Sequence, residues 1–84
     1  ATSKELILPD NVHFYNSITI STNDKVVLGE NLLIGGDLNL QVKKSNLIIK
    51  NNIGVGGNLK LGKGIFNEHK DIENISYFGQ VITS

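Results

Sequence analysis

Few residues in this chain have the type and spacing that chemistry needs. The only histidines are His13 and His69. Glu68, Asp71 and Glu73 lie close to His69, which gathers the residue types of a metal site or an acid–base pair. Such sites need convergent geometry as well as proximity in sequence, and no carboxylate pair repeats its placement elsewhere. The group reads better as a solvated capping loop, and each histidine as a surface residue without a role. Gly54-x-Gly56-Gly57 and Gly62-Lys63-Gly64 are Gly-rich but lack the full spacing of a phosphate loop and open no helix, so they read as turns. Lys43-Lys44 and the pair Lys60/Lys63 read as exposed edges rather than phosphate contacts. Ser17, Ser21, Ser45 and Ser76 lack the Gly-x-Ser-x-Gly setting of a nucleophile. Asn74-Ile75-Ser76 fits a glycan acceptor, which matters only in a secreted eukaryotic protein. No catalytic residue, cofactor, metal or small-molecule substrate is expected. An enzyme centred on residues 63 to 73 is the weakest reading.

Composition narrows the remaining classes. At 84 residues the chain has room for one small domain with a thin core. Without Cys it has no disulfide and no thiolate metal site, and its compartment stays open. Eight Lys+Arg balance eight Asp+Glu, which argues against a general nucleic-acid or anionic-membrane binder. With no Trp and 6% aromatics, a base-stacking platform is not expected. Apolar runs never exceed three residues, so no membrane span or signal-peptide core is expected. The opening Ala1-Thr2-Ser3 and the abrupt close Ile82-Thr83-Ser84 suggest a piece of a larger protein.

The dominant feature is an internal repeat. Leu6 to Ile20, Val26 to Leu40 and Leu47 to Leu61 align without gaps over fifteen positions, at offsets of 20 and 21 residues. Positions 1, 2, 3, 7, 9, 13 and 15 are apolar in all three copies. Position 6 is always Asn: Asn11, Asn31 and Asn52. Positions 10 and 11 are Gly35-Gly36 and Gly56-Gly57 in the later copies and Tyr15-Asn16 in the first. A degenerate fourth copy spans about 69–83, with Asn74 at position 6, and terminal repeats are often atypical because they cap the core. Its upstream part has lost the apolar triplet, so Gly62 to Glu73 reads as a loop or short helical cap. The links Ser21 to Lys25 and Gln41 to Asn46 are short and polar, as turns should be.

Within a unit the apolar spacing is two, as in Leu32/Ile34, Leu38/Leu40 and Leu59/Leu61. Period two means strands with alternate side chains inward, and the Val, Ile and Leu content suits them. Three short strands per unit are expected, at positions 1–3, 7–9 and 13–15. Near-identical repeats favour a solenoid, in which each strand pairs with its equivalent one repeat later and equivalent positions stack into columns. The expected fold is all-β: a short parallel β-helix of about four coils, right-handed by the strand-crossover rule. An antiparallel β-meander is the alternative. Coils about 4.8 Å apart would make a stub on the order of 20 Å tall. Stacked Asn side chains would form a ladder at Asn11, Asn31, Asn52 and Asn74, bonded coil to coil or to backbone at the bend. The Gly-Gly pair fits a corner needing positive φ.

Leu8-Pro9-Asp10-Asn11-Val12, together with Gly29-Glu30-Asn31-Leu32-Leu33-Ile34-Gly35-Gly36-Asp37-Leu38-Asn39-Leu40, resembles a bacterial repeat. The unit, about 20 residues long and written LPdNLxVgGdLdL, is related in style to the leucine-rich repeats of secreted effectors. It occurs in solenoid regions of bacterial and phage proteins. The likeness covers about two thirds of the chain. It implies a scaffold or interaction region beside another domain, sometimes in a secreted or translocated effector, and no catalytic residues. The chain departs from the pattern in having one Leu-Pro pair, Tyr15-Asn16 in place of Gly-Gly, and an eroded last copy. Polymer-forming solenoids such as bactofilins are a weaker likeness.

Position 2 is apolar too. If positions 1 and 3 point inward, Ile7, Val27 and Ile48 form an outward β-branched stripe. Strand propensity or a covering segment would explain it, and so would a partner-docking ridge. The column Thr19/Asn39/Lys60 is polar and ordinary. Two functional readings follow. In the first, the chain is a non-catalytic protein-interaction or scaffold module that docks a protein on the stripe or adds a strand at an open coil. In the second it self-associates through open solenoid ends.

Overall fold

The computed structural model describes residues 4–83, so Ala1-Thr2-Ser3 and Ser84 lie outside the described residues. Coil 1 contains β1 (Glu5–Leu8), β2 (His13–Phe14) and β3 (Ile18–Ser21). Coil 2 contains β4 (Lys25–Leu28), β5 (Leu33–Ile34) and β6 (Leu38–Gln41). Coil 3 contains β7 (Leu47–Ile49), β8 (Ile53–Val55) and β9 (Leu59–Leu61). Coil 4 replaces its first strand with the short helix α1 (Ile65–Glu68) and a 3-10 turn (Ile72–Asn74), then adds β10 (Ile75–Tyr77) and β11 (Val81–Thr83).

Every strand pairs in parallel with its equivalent in the neighbouring coil. Three sheets result, ordered β1-β4-β7, β2-β5-β8-β10 and β3-β6-β9-β11. The meander alternative fails, because no strand in these sheets neighbours the next in sequence. The fold is an all-β parallel solenoid. Its register stacks like on like: Leu8 on Leu28 on Ile49, and Ile20 on Leu40 on Leu61.

The stacked inward columns are the core. Val26, Leu28, Leu32, Ile34, Leu38, Leu40, Ile53, Val55, Leu59 and Leu61 are all buried, and they belong to coils 2 and 3. A coil with neighbours on both sides hides its side chains almost fully, at roughly 1.5–3 kcal/mol for each large aliphatic. End coils hide less. Leu6 heads its inward column yet is 42% exposed, and Val12, Phe14, Ile18 and Val81 are only partly buried. Position 9 is aromatic in both end coils, as Phe14 and Tyr77, where coils 2 and 3 carry Ile34 and Val55. Val42 from a link and Ile65 from α1 also enter the core, although neither belongs to the repeat pattern.

The corner chemistry differs from the expectation for glycine. Positive φ falls on Asn11 (59°), Asn31 (59°) and Asn52 (63°) and, among the described glycines, only on Gly64. Asn tolerates the left-handed region better than other side-chain-bearing residues. Gly35, Gly36, Gly56 and Gly57 serve a different need, which is space. A Cβ on Gly35 would stand 2.5 Å from the Tyr15 carbonyl oxygen, and one on Gly56 2.5 Å from the Gly35 oxygen. These glycines let each corner lie directly on the one below.

Candidate interaction surface

The outer face of the β1-β4-β7 sheet is built by period two alone. Leu47 and Ile49 are buried, and Ile48 between them is 40% exposed. Ile7, two strands away on β1, is 54% exposed. Val27 pairs with both in the ladder. Its exposure is only 8%, yet it stands outside the core cluster. Its burial therefore comes from the flanking Ile7 and Ile48 side chains on the outer face. Glu5 and Lys25 pair beside the stripe at 3.3 Å, and Lys50 reaches Asp10 at 3.8 Å two coils away. These exposed pairs order the rim and add little stability.

At its upper end the stripe runs into an open cleft of about 490 Å³, lined by Leu47, Ile48, Lys44, Glu68, Lys70 and Asp71 among others. The cleft exists because coil 4 has a lid instead of a strand. Ile65 anchors the lid in the core with 0% exposure, and Lys44 bonds Glu68 at 2.6 Å. His69 Nε2 lies 2.6 Å from the Leu47 carbonyl oxygen, and His69 Nδ1 accepts the Asp71 N–H at 3.1 Å. A carbonyl can only accept, so the proton sits on Nε2 and both ring nitrogens are occupied. Glu68, Asp71 and Glu73 do not converge on it. Among the described residues no group of three or more His, Asp or Glu side chains is placed to hold a metal ion.

The Asn column forms a ladder of uniform direction. Asn31 Nδ2 donates to Asn11 Oδ1 at 2.9 Å, and Asn52 Nδ2 donates to Asn31 Oδ1 at 2.8 Å. Asn74 does not extend it. It ends the 3-10 turn, and its amide lies 3.5 Å from the Ile49 carbonyl oxygen. Losing the apolar triplet shifted this residue from corner to lid, so the ladder has three members among the described residues.

Sequence reasoning missed a second ladder, at position 12. Ser17 Oγ accepts the Asp37 N–H at 2.9 Å, Asp37 Oδ1 accepts the Asn58 N–H at 2.7 Å, and Asn58 Oδ1 accepts the Gln80 N–H at 3.0 Å. The signal was present, since all four residues carry a side-chain oxygen, but their differing types hid it. His13 is exposed on the second sheet with its ring centroid 4.4 Å from that of Tyr15. Lys43, Lys44 and Lys63 are exposed, as are Ser17, Ser21, Ser45 and Ser76. Lys44 and Ser45 line the cleft beside the lid, and Lys43 and Lys63 line a second, shallower concavity with Thr22, Asn23 and Gln41. No helix among the described residues is long and apolar enough to cross a membrane.

Fold and surface together define a parallel β-solenoid with one apolar outer stripe. No protein family, curated protein or solved structure matches the chain.

Proposed function

We propose that this chain is a non-catalytic protein-interaction or scaffold module that docks a protein partner along Ile7, Val27 and Ile48. The observation that carries the reading is the outward exposure of Ile7 and Ile48, 54% and 40%, on a flat hydrogen-bonded face. Rigid apolar anchors inside a polar rim are how protein interfaces concentrate affinity. Both ring nitrogens of His69 are engaged in holding the lid, which supports a structural use of residues 63 to 73 over a catalytic one. Balanced charge supports a protein partner over nucleic acid. The resemblance to bacterial repeat units supports a bacterial parent, a secreted effector among the options.

The test compares two double variants. Ile7→Lys with Ile48→Lys alters the stripe, and Thr19→Lys with Asn39→Lys alters the polar face. Proteins captured by the natural chain should be lost with the first pair and retained with the second, both chains keeping their strand signal by circular dichroism. Capture that survives the first pair removes the stripe as the docking face. Self-association is the rival reading, favoured by the open edges of β10 and β11. Light scattering at two concentrations about tenfold apart separates the two, because a self-associating chain grows with concentration.

A further inference from the structure

We infer that coil 1 is a terminator: Pro9 and Asn16 bar any further coil, including the upper coil of a second copy, from stacking in register beneath it. This is independent of which face a partner uses, and it rests on comparing each coil with the one below.

At position 4 coils 2 and 3 each offer an N–H downwards, whereas in coil 4, which lacks a first strand, Ile72 turns its N–H to the His69 carbonyl of the same coil. Gly29 donates to the Leu8 carbonyl at 2.8 Å, and Lys50 to the Leu28 carbonyl at 3.1 Å. Lys50 shows that a side chain is tolerated there. The donor is what the two coils with a supported first strand share, and Pro9 has none. Proline on an edge strand is a known guard against strand addition.

At position 11 the requirement is the missing Cβ. Gly36, Gly57 and Gly79 all have a coil beneath them. A Cβ on Gly36 would stand 2.7 Å from the Ser17 nitrogen, and one on Gly79 2.8 Å from the Gly57 oxygen. Each would also meet the position-12 side-chain oxygen below: Ser17, Asp37 or Asn58. Only coil 1 breaks the rule, with Asn16. Position 10 is less strict, because Phe78 occupies it above Gly56 and still donates to Val55 at 3.1 Å. Tyr15 is therefore not part of the block. A head-to-tail filament of this chain is excluded, and growth of the stack is confined to β10 and β11.

Inserting a second copy of residues 26–45 between Lys4 and Glu5 supplies an extra coil in the natural register. Backbone amide exchange then reports whether that coil docks. In the natural background its amides should exchange like unstructured chain. With Pro9→Gly and Asn16→Gly, matching coil 2, they should slow by about a hundredfold or more. Protection of the inserted coil in the natural background overturns the inference. So does a lack of protection in the double variant while coils 2 and 3 stay protected.

Discussion

His69 Nε2 donates to the Leu47 carbonyl oxygen across 2.6 Å, from a residue 22 positions further along the chain. Leu47 lies on the upper edge of β7, where a fourth strand would have offered an N–H. Ile49 is the next upward-facing residue, and the Asn74 amide approaches its carbonyl. Two side chains thus stand in for backbone donors that the eroded repeat no longer supplies. An uncovered strand edge invites pairing with other chains, and a lid is one of the established ways to blunt it.

Replacing His69 with Leu should uncover that edge while leaving the stack intact. The loss should be about 1–2 kcal/mol, that of one good hydrogen bond to a half-buried carbonyl. Exchange should quicken across residues 62–74 and stay slow in coils 2 and 3, as followed by NMR. Uniform acceleration in all coils would show that the lid is no separate unit.

Asn31 both donates and accepts in the amide ladder while holding a φ of 59°. Asn31→Gly removes the two bonds but keeps the conformation accessible. Asn31→Ala removes the bonds and adds roughly 1–2 kcal/mol of left-handed strain. Urea denaturation should rank the alanine variant below the glycine variant. Equal stability of the two variants would mean that the side-chain bonds alone matter.

Gly57→Ala should cost about 1–3 kcal/mol by overpacking the corner against Asp37. Gly57 lacks a positive φ, so the penalty is steric. Adding Asp37→Gly removes the blocking carboxylate, and the double variant should lose less than the sum of the singles. Strict additivity in a double-mutant cycle would refute the contact.

Val27→Lys should leave the chain folded, because a lysine on the outer face can carry its ammonium to water along its stem. Leu28→Lys should unfold it, since Leu28 is fully buried between coils. Thermal melts of the two variants decide. Unfolding by Val27→Lys would mean that this strand faces the other way.

The strands were legible because two independent regularities coincide: a period of two within each unit and a period near twenty between units. Column stacking followed from the second. The assignment of the corners was not legible. Asn and Gly both form turns, and nothing local says which of them takes the left-handed φ. The need for glycine at position 11 comes from an atom one coil away, a contact that no short window contains. Val27 illustrates the same limit. Its outward direction follows from alternation, but its 8% exposure depends on Ile7 and Ile48, about twenty residues off on either side. The lid carries no periodic signal in the sequence, because helix α1 has only four residues.

Stacking each coil only on its neighbours also sets how the molecule bears load. Pulled apart from Lys4 and Thr83, the chain cannot share force among all its ladders at once, because the outermost coil takes the strain before the next. Coils should peel off singly, each paying out about 70 Å of contour for its twenty or so residues. Under tension the molecule would act as a stepwise extensible spacer whose step length is written in the repeat itself.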